Sequence, residues 1–383
     1  MKIDHILNRA IESGRIAGAT AFVGNRAGLI ASHAAGLANP PAGTAMNTDT
    51  IFQIASMTKA ITSVAAMQLV EQGRCSLDAP VGELLPVLAN PSVITGFDDD
   101  NAVITRPAAR PVTLRHLLTH TSGLGYPFMS ADIARSFALS GPPAPGSIAS
   151  ITVPLLFDPG TAWEYGVSTD WVGLAVEAVT GMSLGAYMTE AIFDPLGMTD
   201  TAFALDRDQL ARRAAMMSRS DDGTLQPFAA ELGGGATAEF EGGGGALMCS
   251  GGDYLRFLRM LLNNGTLDQK KILRAETVAE MTRNQIGNLR AGAMGSVVPQ
   301  FSHPYDGFPE MHTGWGLGFL INPQTGRNGR AAGSLAWAGI ANCYYWFDPT
   351  SDIAAVLMMQ FLPFGDPAAL DLYAAFERAV YEG

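Results

Sequence analysis

A serine and a lysine three positions apart stand in Phe52-Gln53-Ile54-Ala55-Ser56-Met57-Thr58-Lys59, ahead of an apolar run that closes near Gly73. Apolar side chains at 57, 60, 61, 64 and 67 recur with the helical period, and Gly73 suits the stop. The segment predicts a buried helix of about four turns whose first turn sets Ser56 and Lys59 on one face. A serine hydroxyl becomes a nucleophile when a base takes its proton, and a lysine amine can do so if its pKa is depressed. No other charged side chain lies between Ala55 and Val70, so burial is expected to hold Lys59 neutral. The unpaired N–H groups of the helix start would favour the oxyanion of acyl transfer. Ser-x-x-Lys by itself is equally the pattern of an N-cap serine and a snorkelling lysine, so its meaning depends on the rest of the chain.

A competing serine lies in Gly181-Met182-Ser183-Leu184-Gly185, which fits the G-x-S-x-G esterase pattern. That elbow must join a strand to a helix. Here Leu174 to Val179 reads as helix, Gly181 as its C-terminal glycine and Ser183 as the next N-cap, so Ser183 is set aside. No H-E-x-x-H, Walker or dinucleotide pattern occurs, so neither a metal nor a cofactor is expected. The acidic run Asp98-Asp99-Asp100 reads as a solvated loop.

The elements that must position these residues follow from pattern. Apolar positions 3, 6, 7, 10 and 11 make the N-terminus an amphipathic helix rather than a signal peptide. Gly18 to Gly24 and Leu29 to Ala35 read as a hairpin. Gly316 to Ile321, Ser334 to Trp337, Cys343 to Phe347 and Ile353 to Met359 read as further strands before a last helix from about Pro367 to Tyr381. Between them, helices are predicted from Thr113, Ser168, Ser183 and Asp253. The resulting expectation is an α+β fold: residues 1–110 and 310–383 form a lobe around an antiparallel sheet built from both termini, residues 111–309 a mostly helical lobe, with the site between them.

Composition narrows the partners. The 383 residues are 48% hydrophobic and 16% charged, with 43 glycines, which suits a large core with tight turns. A net charge of -12 argues against nucleic acid and anionic lipid. No apolar run approaches the roughly eighteen residues of a membrane span. Three cysteines without zinc-type spacing fit buried thiols in a reducing compartment, by default the cytoplasm. Nothing in the sequence singles out an oligomeric state.

Further segments converge on Ser56. Tyr165 lies in Trp163-Glu164-Tyr165-Gly166-Val167, and Trp337 in Leu335-Ala336-Trp337-Ala338-Gly339-Ile340, on a strand where a glycine lets a substrate approach the backbone. Together with His116-Leu117-Leu118-Thr119-His120-Thr121-Ser122-Gly123-Leu124 and the 242–262 glycine–helix segment, nearly the whole chain resembles the serine β-lactamase-like and penicillin-recognising family, in its branch of carboxylesterases related to class C β-lactamases, esterase family VIII. The resemblance implies that Ser56 is the nucleophile, Lys59 its partner and Tyr165 the group sharing proton transfer. It also implies an oxyanion hole from the N–H groups of Ser56 and Ile340 beside Trp337 and Gly339, and no catalytic histidine. The chain departs from the peptidase and β-lactamase patterns: Val167 stands where Tyr-x-Asn has asparagine, and Trp337 where Lys-Thr-Gly or His-x-Gly has its cation. Without those polar clamps, neutral esters are favoured over anionic antibiotics. Tyr126, Phe128, Phe157, Tyr305, Phe308 and Trp315 are candidate pocket walls. The expected function is a serine carboxylesterase acting on short-chain acyl esters, a small-molecule substrate, through an acyl-enzyme. A β-lactamase, a D-Ala-D-Ala peptidase, an acyltransferase and a catalytically idle module stand as alternatives.

Overall fold

A computed structural model describes residues 2–228 and 232–382. Helix α1 (Ile3–Glu12) buries Ile3 and Leu7, and β1 (Gly18–Gly24) pairs with β2 (Leu29–Asn39), beyond which lies the short β3 (Thr44–Ala45). β4 (Ile51–Gln53) leads through a 3-10 turn at Ala55–Met57 into α2 (Thr58–Glu71). The middle of the chain supplies α3 (Leu114–Leu118), α4 (Ser168–Thr180), β5 (Met248–Ser250) paired with β4, and α5 (Gly251–Leu262). β6 (Gly314–Trp315), β7 (Leu320–Ile321), β8 (Leu335–Gly339), β9 (Cys343–Asp348), β10 (Ile353–Met358) and α6 (Pro367–Glu382) complete it.

One antiparallel sheet of eight strands runs β6-β7-β8-β9-β10-β1-β2-β3. The two ends of the chain meet where Thr20 pairs with Met358 and Gly24 with Ala354. β1 is buried along its whole length because both faces are covered. Ala19, Ala21 and Val23 pack with Leu7, Phe376 and Val380 of α1 and α6, while Phe22 packs with Leu255 and Leu258 of α5. A Cβ on Gly251 would overlap the Phe22 ring, so glycine lets α5 start against the sheet. The fold is α+β, an antiparallel sheet flanked by helices with a mostly helical region against it.

α2 is buried continuously from Thr58 to Leu69, which is why its sequence has no polar face. Gly73 ends it at φ +70°. The strand expected over Gly316 to Ile321 is instead two short strands bracketing a turn at Gly318, φ +101°, where a side chain would overlap the Ser63 hydroxyl of α2. The helix expected from Ser183 to Ile192 is α-helical only at Leu184–Met188 and widens into a π turn over Thr189–Phe193. The mostly half-buried strand Ser92–Phe97 and the exposed strand Val103–Pro107 pair as a hairpin that the apolar pattern does not signal. β7 pairs only with Leu335 and Ala336 of β8; among the described residues, Trp337–Gly339 have no strand on that side. That open edge borders the site.

Candidate active site

Ser56 sits in the 3-10 turn before α2, and the residue preceding it, Ala55, has φ +46°. A left-handed alanine is costly and persists only where its surroundings fix it. They do so here: the Ile54 N–H donates to the Leu247 carbonyl at 3.1 Å, the Tyr254 hydroxyl to the Met57 carbonyl at 2.9 Å, and the Leu247 N–H to Thr58 Oγ1 at 3.2 Å. The end of β8 closes on the same turn, since a Cβ on Gly339 would overlap the Ile54 carbonyl.

Lys59, 1% exposed, places its amine among three acceptors: Ser56 Oγ at 3.2 Å, Tyr126 Oη at 2.9 Å and the Gly244 carbonyl at 2.6 Å. An ammonium has three N–H donors, and all three are used. Burial by itself pushes the amine down. The negative charge that Tyr126, Tyr165 and Asp170 can carry outweighs burial, so Lys59 lies above its ordinary value. The expectation of a neutral lysine is therefore corrected: α2 carries no second charge, but Asp170 arrives from α4. Burial in turn raises the Tyr126 phenol, with the Lys59 charge opposing.

Asp170 is a buried carboxylate on the cavity wall that accepts the Gly244 N–H at 2.9 Å. The Gly244 carbonyl receives Lys59, so a single residue links the carboxylate to the ammonium. A Cβ at 244 would overlap the Asp170 carboxylate, which accounts for glycine there. Thr62 Oγ1 donates to the Gly243 carbonyl at 2.7 Å and holds the glycine run against α2. Burial raises the Asp170 carboxyl, opposed by the Lys59 charge and the Gly244 N–H.

The Tyr165 ring lies 4.8 Å from Lys59 Nζ, and its hydroxyl accepts the Trp337 indole N–H at 2.9 Å. His120 packs against Tyr165 with centroids 4.7 Å apart and is neutral, since burial and the Lys59 charge push its pKa well below the usual value. Around these groups opens a cavity of about 650 Å³ lined by Ser56, Tyr126, Tyr165, Trp337, Gly339 and Ile340, among others. Among the described residues no cluster of metal-ligating side chains occurs, and no helix is long and apolar enough to cross a membrane.

A serine beside a buried lysine, two phenols and the unpaired end of a sheet strand is an arrangement for forming and breaking an acyl bond to serine. The family model for beta-lactamase matches residues 3–379. The chain belongs to the beta-lactamase family. This family member is 34% identical to a lovastatin esterase of Penicillium rubens over 99% of this chain and 98% of that protein. It is 34% identical to a monacolin J acid methylbutanoyltransferase of Aspergillus terreus over 88% of this chain and 83% of the other. A mutant of simvastatin synthase from Aspergillus terreus superposes with a TM-score of 0.85 at 31% identity, covering 99% of this chain and 96% of that one. These likenesses make the beta-lactamase-family chain an enzyme of the serine hydrolase and acyltransferase type, with the β-lactamase and penicillin-binding-protein fold.

Of the pocket walls expected from sequence, Tyr126, Phe128, Tyr305 and Phe308 line the cavity of this family member. Trp315 does not. It is completely buried, donates its N–H to the Leu118 carbonyl at 3.1 Å and supports Trp337 edge-on from beneath. Phe157 is likewise absent from the lining. Sequence reasoning missed Tyr126 as the hydrogen-bonding partner of Lys59, 67 positions away, and missed Asp170 and Gly244 altogether. An acidic residue in the first turn of an otherwise apolar helix, Ser168-Thr169-Asp170-Trp171-Val172, was the available signal for Asp170. Ser183 caps the helix at Leu184–Met188 by accepting the Ala186 N–H.

Proposed function

We propose that this chain is a serine carboxylesterase that removes a short acyl group from a bulky, uncharged alcohol through an acyl-enzyme on Ser56. The observation that carries this reading is the 3.2 Å approach of Lys59 Nζ to Ser56 Oγ within a cavity of about 650 Å³, large enough for a drug-sized ester. Ser56 attacks the ester carbonyl and its proton passes into the Lys59–Tyr126–Tyr165 group, which reacts in the form that has first given one proton to solvent; the groups are coupled, so the vacancy belongs to the set. The carbonyl oxygen takes up the negative charge, facing the N–H groups of Ser56 and Ile340. The carbon–oxygen bond to the alcohol then breaks, and the alcohol leaves with the proton. Water adds to the acyl group, its proton enters the same set and returns to Ser56 as the acid departs. The Tyr165 oxygen is held toward the cleft by the N–H it accepts from Trp337. Trp337 and Val167, both buried and apolar, line the cavity in place of polar clamps and support an uncharged substrate. The esterase and the methylbutanoyltransferase among the relatives support a short acyl group on a large alcohol.

Transfer of the same acyl group to a second alcohol instead of water is the alternative, favoured by the transferases among the relatives. Three free cysteines, two of them buried, support a reducing compartment such as the cytoplasm. The deciding experiment is hydrolysis of p-nitrophenyl butyrate. Ser56→Ala is expected to abolish turnover and Ser183→Ala to retain it, and a folded but inactive Ser183→Ala would move the nucleophile away from position 56. Adding a primary alcohol and measuring ester product against free acid separates transfer from hydrolysis.

A further inference from the structure

The cavity that holds Ser56 continues past the open edge of β8. Trp337 faces Tyr165 on one side of the sheet, whereas Ala336 and Ala338 face the other, and all three line the cavity. On that far side the walls are Tyr344 from β9 and Leu370, Tyr373 and Ala374 from α6. The passage ends at Arg330, Asn328 and Glu377, a polar cluster with no part in the chemistry at Ser56.

Arg330 is 1% exposed and Glu377 7%. Arg330 Nε donates to Glu377 Oε1 at 2.6 Å, Asn328 Nδ2 to Glu377 Oε2 at 2.8 Å, and Arg330 Nη2 to Tyr373 Oη at 2.6 Å. The guanidinium also lies 4.9 Å from the centre of the Trp346 ring. A buried ion pair adds little stability over an apolar packing of the same volume, so its place on a cavity wall calls for a use. The two charges cancel, and a carboxylate arriving there would stand unmatched. Tyr373 already accepts from Arg330, and among the described residues its own hydroxyl proton meets no acceptor. What the cluster offers is one firmly oriented donor with no net charge, at the end of an apolar passage.

We propose that Tyr373, held by Arg330 and Glu377, is a distal subsite for an uncharged oxygen, a hydroxyl, ether or carbonyl, on the remote end of a long apolar substrate. This deepens the ester reading of Ser56 and rests on it for its use, whereas the binding itself is measured apart from turnover. Calorimetry with methyl ketones, unreactive stand-ins for the ester, compares plain alkyl chains of about eight to fourteen carbons with their ω-hydroxy counterparts. At the best chain length the hydroxyl is expected to tighten Kd about fivefold in the wild type, the effect of one hydrogen bond. Tyr373→Phe, which keeps the ring, should erase that ratio, and Ala374→Trp, which fills the passage, should weaken both long ketones about tenfold. Equal affinity of the two ketones in the wild type at every length, or a hydroxyl advantage that survives Tyr373→Phe, overturns the subsite. Turnover of p-nitrophenyl butyrate on the same preparations reads the ester chemistry alone, so its failure leaves the binding ratios to stand or fall by themselves.

Discussion

Lys59 gives one hydrogen bond each to Ser56, Tyr126 and the Gly244 carbonyl, so any change in one partner is felt by the other two. Tyr126→Phe removes an acceptor from the ammonium and a hydroxyl from the proton path. We expect kcat for p-nitrophenyl butyrate to fall about a hundredfold with KM little changed, the range of general acid–base contributions. A raised KM at unchanged kcat would make Tyr126 only a wall. Trp337→Phe keeps an aromatic ring against Trp315 but loses the N–H given to Tyr165. Its expected cost is about tenfold in kcat, one hydrogen bond's worth of transition-state orientation.

Among the elements, the glycine run and α5 are the most sensitive. Gly244→Ala places a methyl group on the Asp170 carboxylate and displaces the carbonyl that Lys59 needs. We expect more than about tenfold loss of kcat, partly recovered when Asp170→Ala removes the overlapping carboxylate, whereas additive losses would show that the two are uncoupled. Asp253, in the first turn of α5, is pushed up to about 6 by burial, against hydrogen bonds from the Asp200 N–H and the Thr201 hydroxyl. The folded protein thus holds this proton more tightly than the unfolded chain. The carboxyl favours folding below the ordinary carboxylate range, and that contribution is lost as pH rises toward 6. Relative to Asp253→Asn, the wild type should lose on the order of 2 kcal/mol of stability across that window, read as urea midpoints at a series of pH values. Parallel curves for the two proteins would refute it.

Across the whole molecule, the site exists because the sheet from the chain ends closes on a turn held by the middle of the chain. β8 abuts Ile54 at Gly339, Leu247 holds Ile54 and Thr58, and Asp170 arrives from α4. Gly339→Val would force these parts asymmetrically open. The expected outcome is a loss of about 1–3 kcal/mol in stability together with nearly all esterase turnover, measured by urea unfolding and burst titration of Ser56. Full activity with lowered stability would show that β8 supports the fold without shaping the oxyanion site.

Much of this was legible along the chain. Ser56 and Lys59 lie one helical turn apart, and so short a separation is fixed by helix geometry itself. The β1–β2 hairpin, β9, β10 and α6 follow from local periodicity, and Ser183 was set aside because its neighbours are helical. What tertiary structure alone decided are the contacts between distant segments. The proton state of Lys59 depends on Tyr126, Tyr165 and Asp170, and electrostatic surroundings sum over space, not over sequence. The same reason sends Trp315 into the core and brings Arg330, Tyr373 and Glu377 to the cavity's far end: an aromatic or charged residue carries no local mark of the distant segments that the folded chain will set against it.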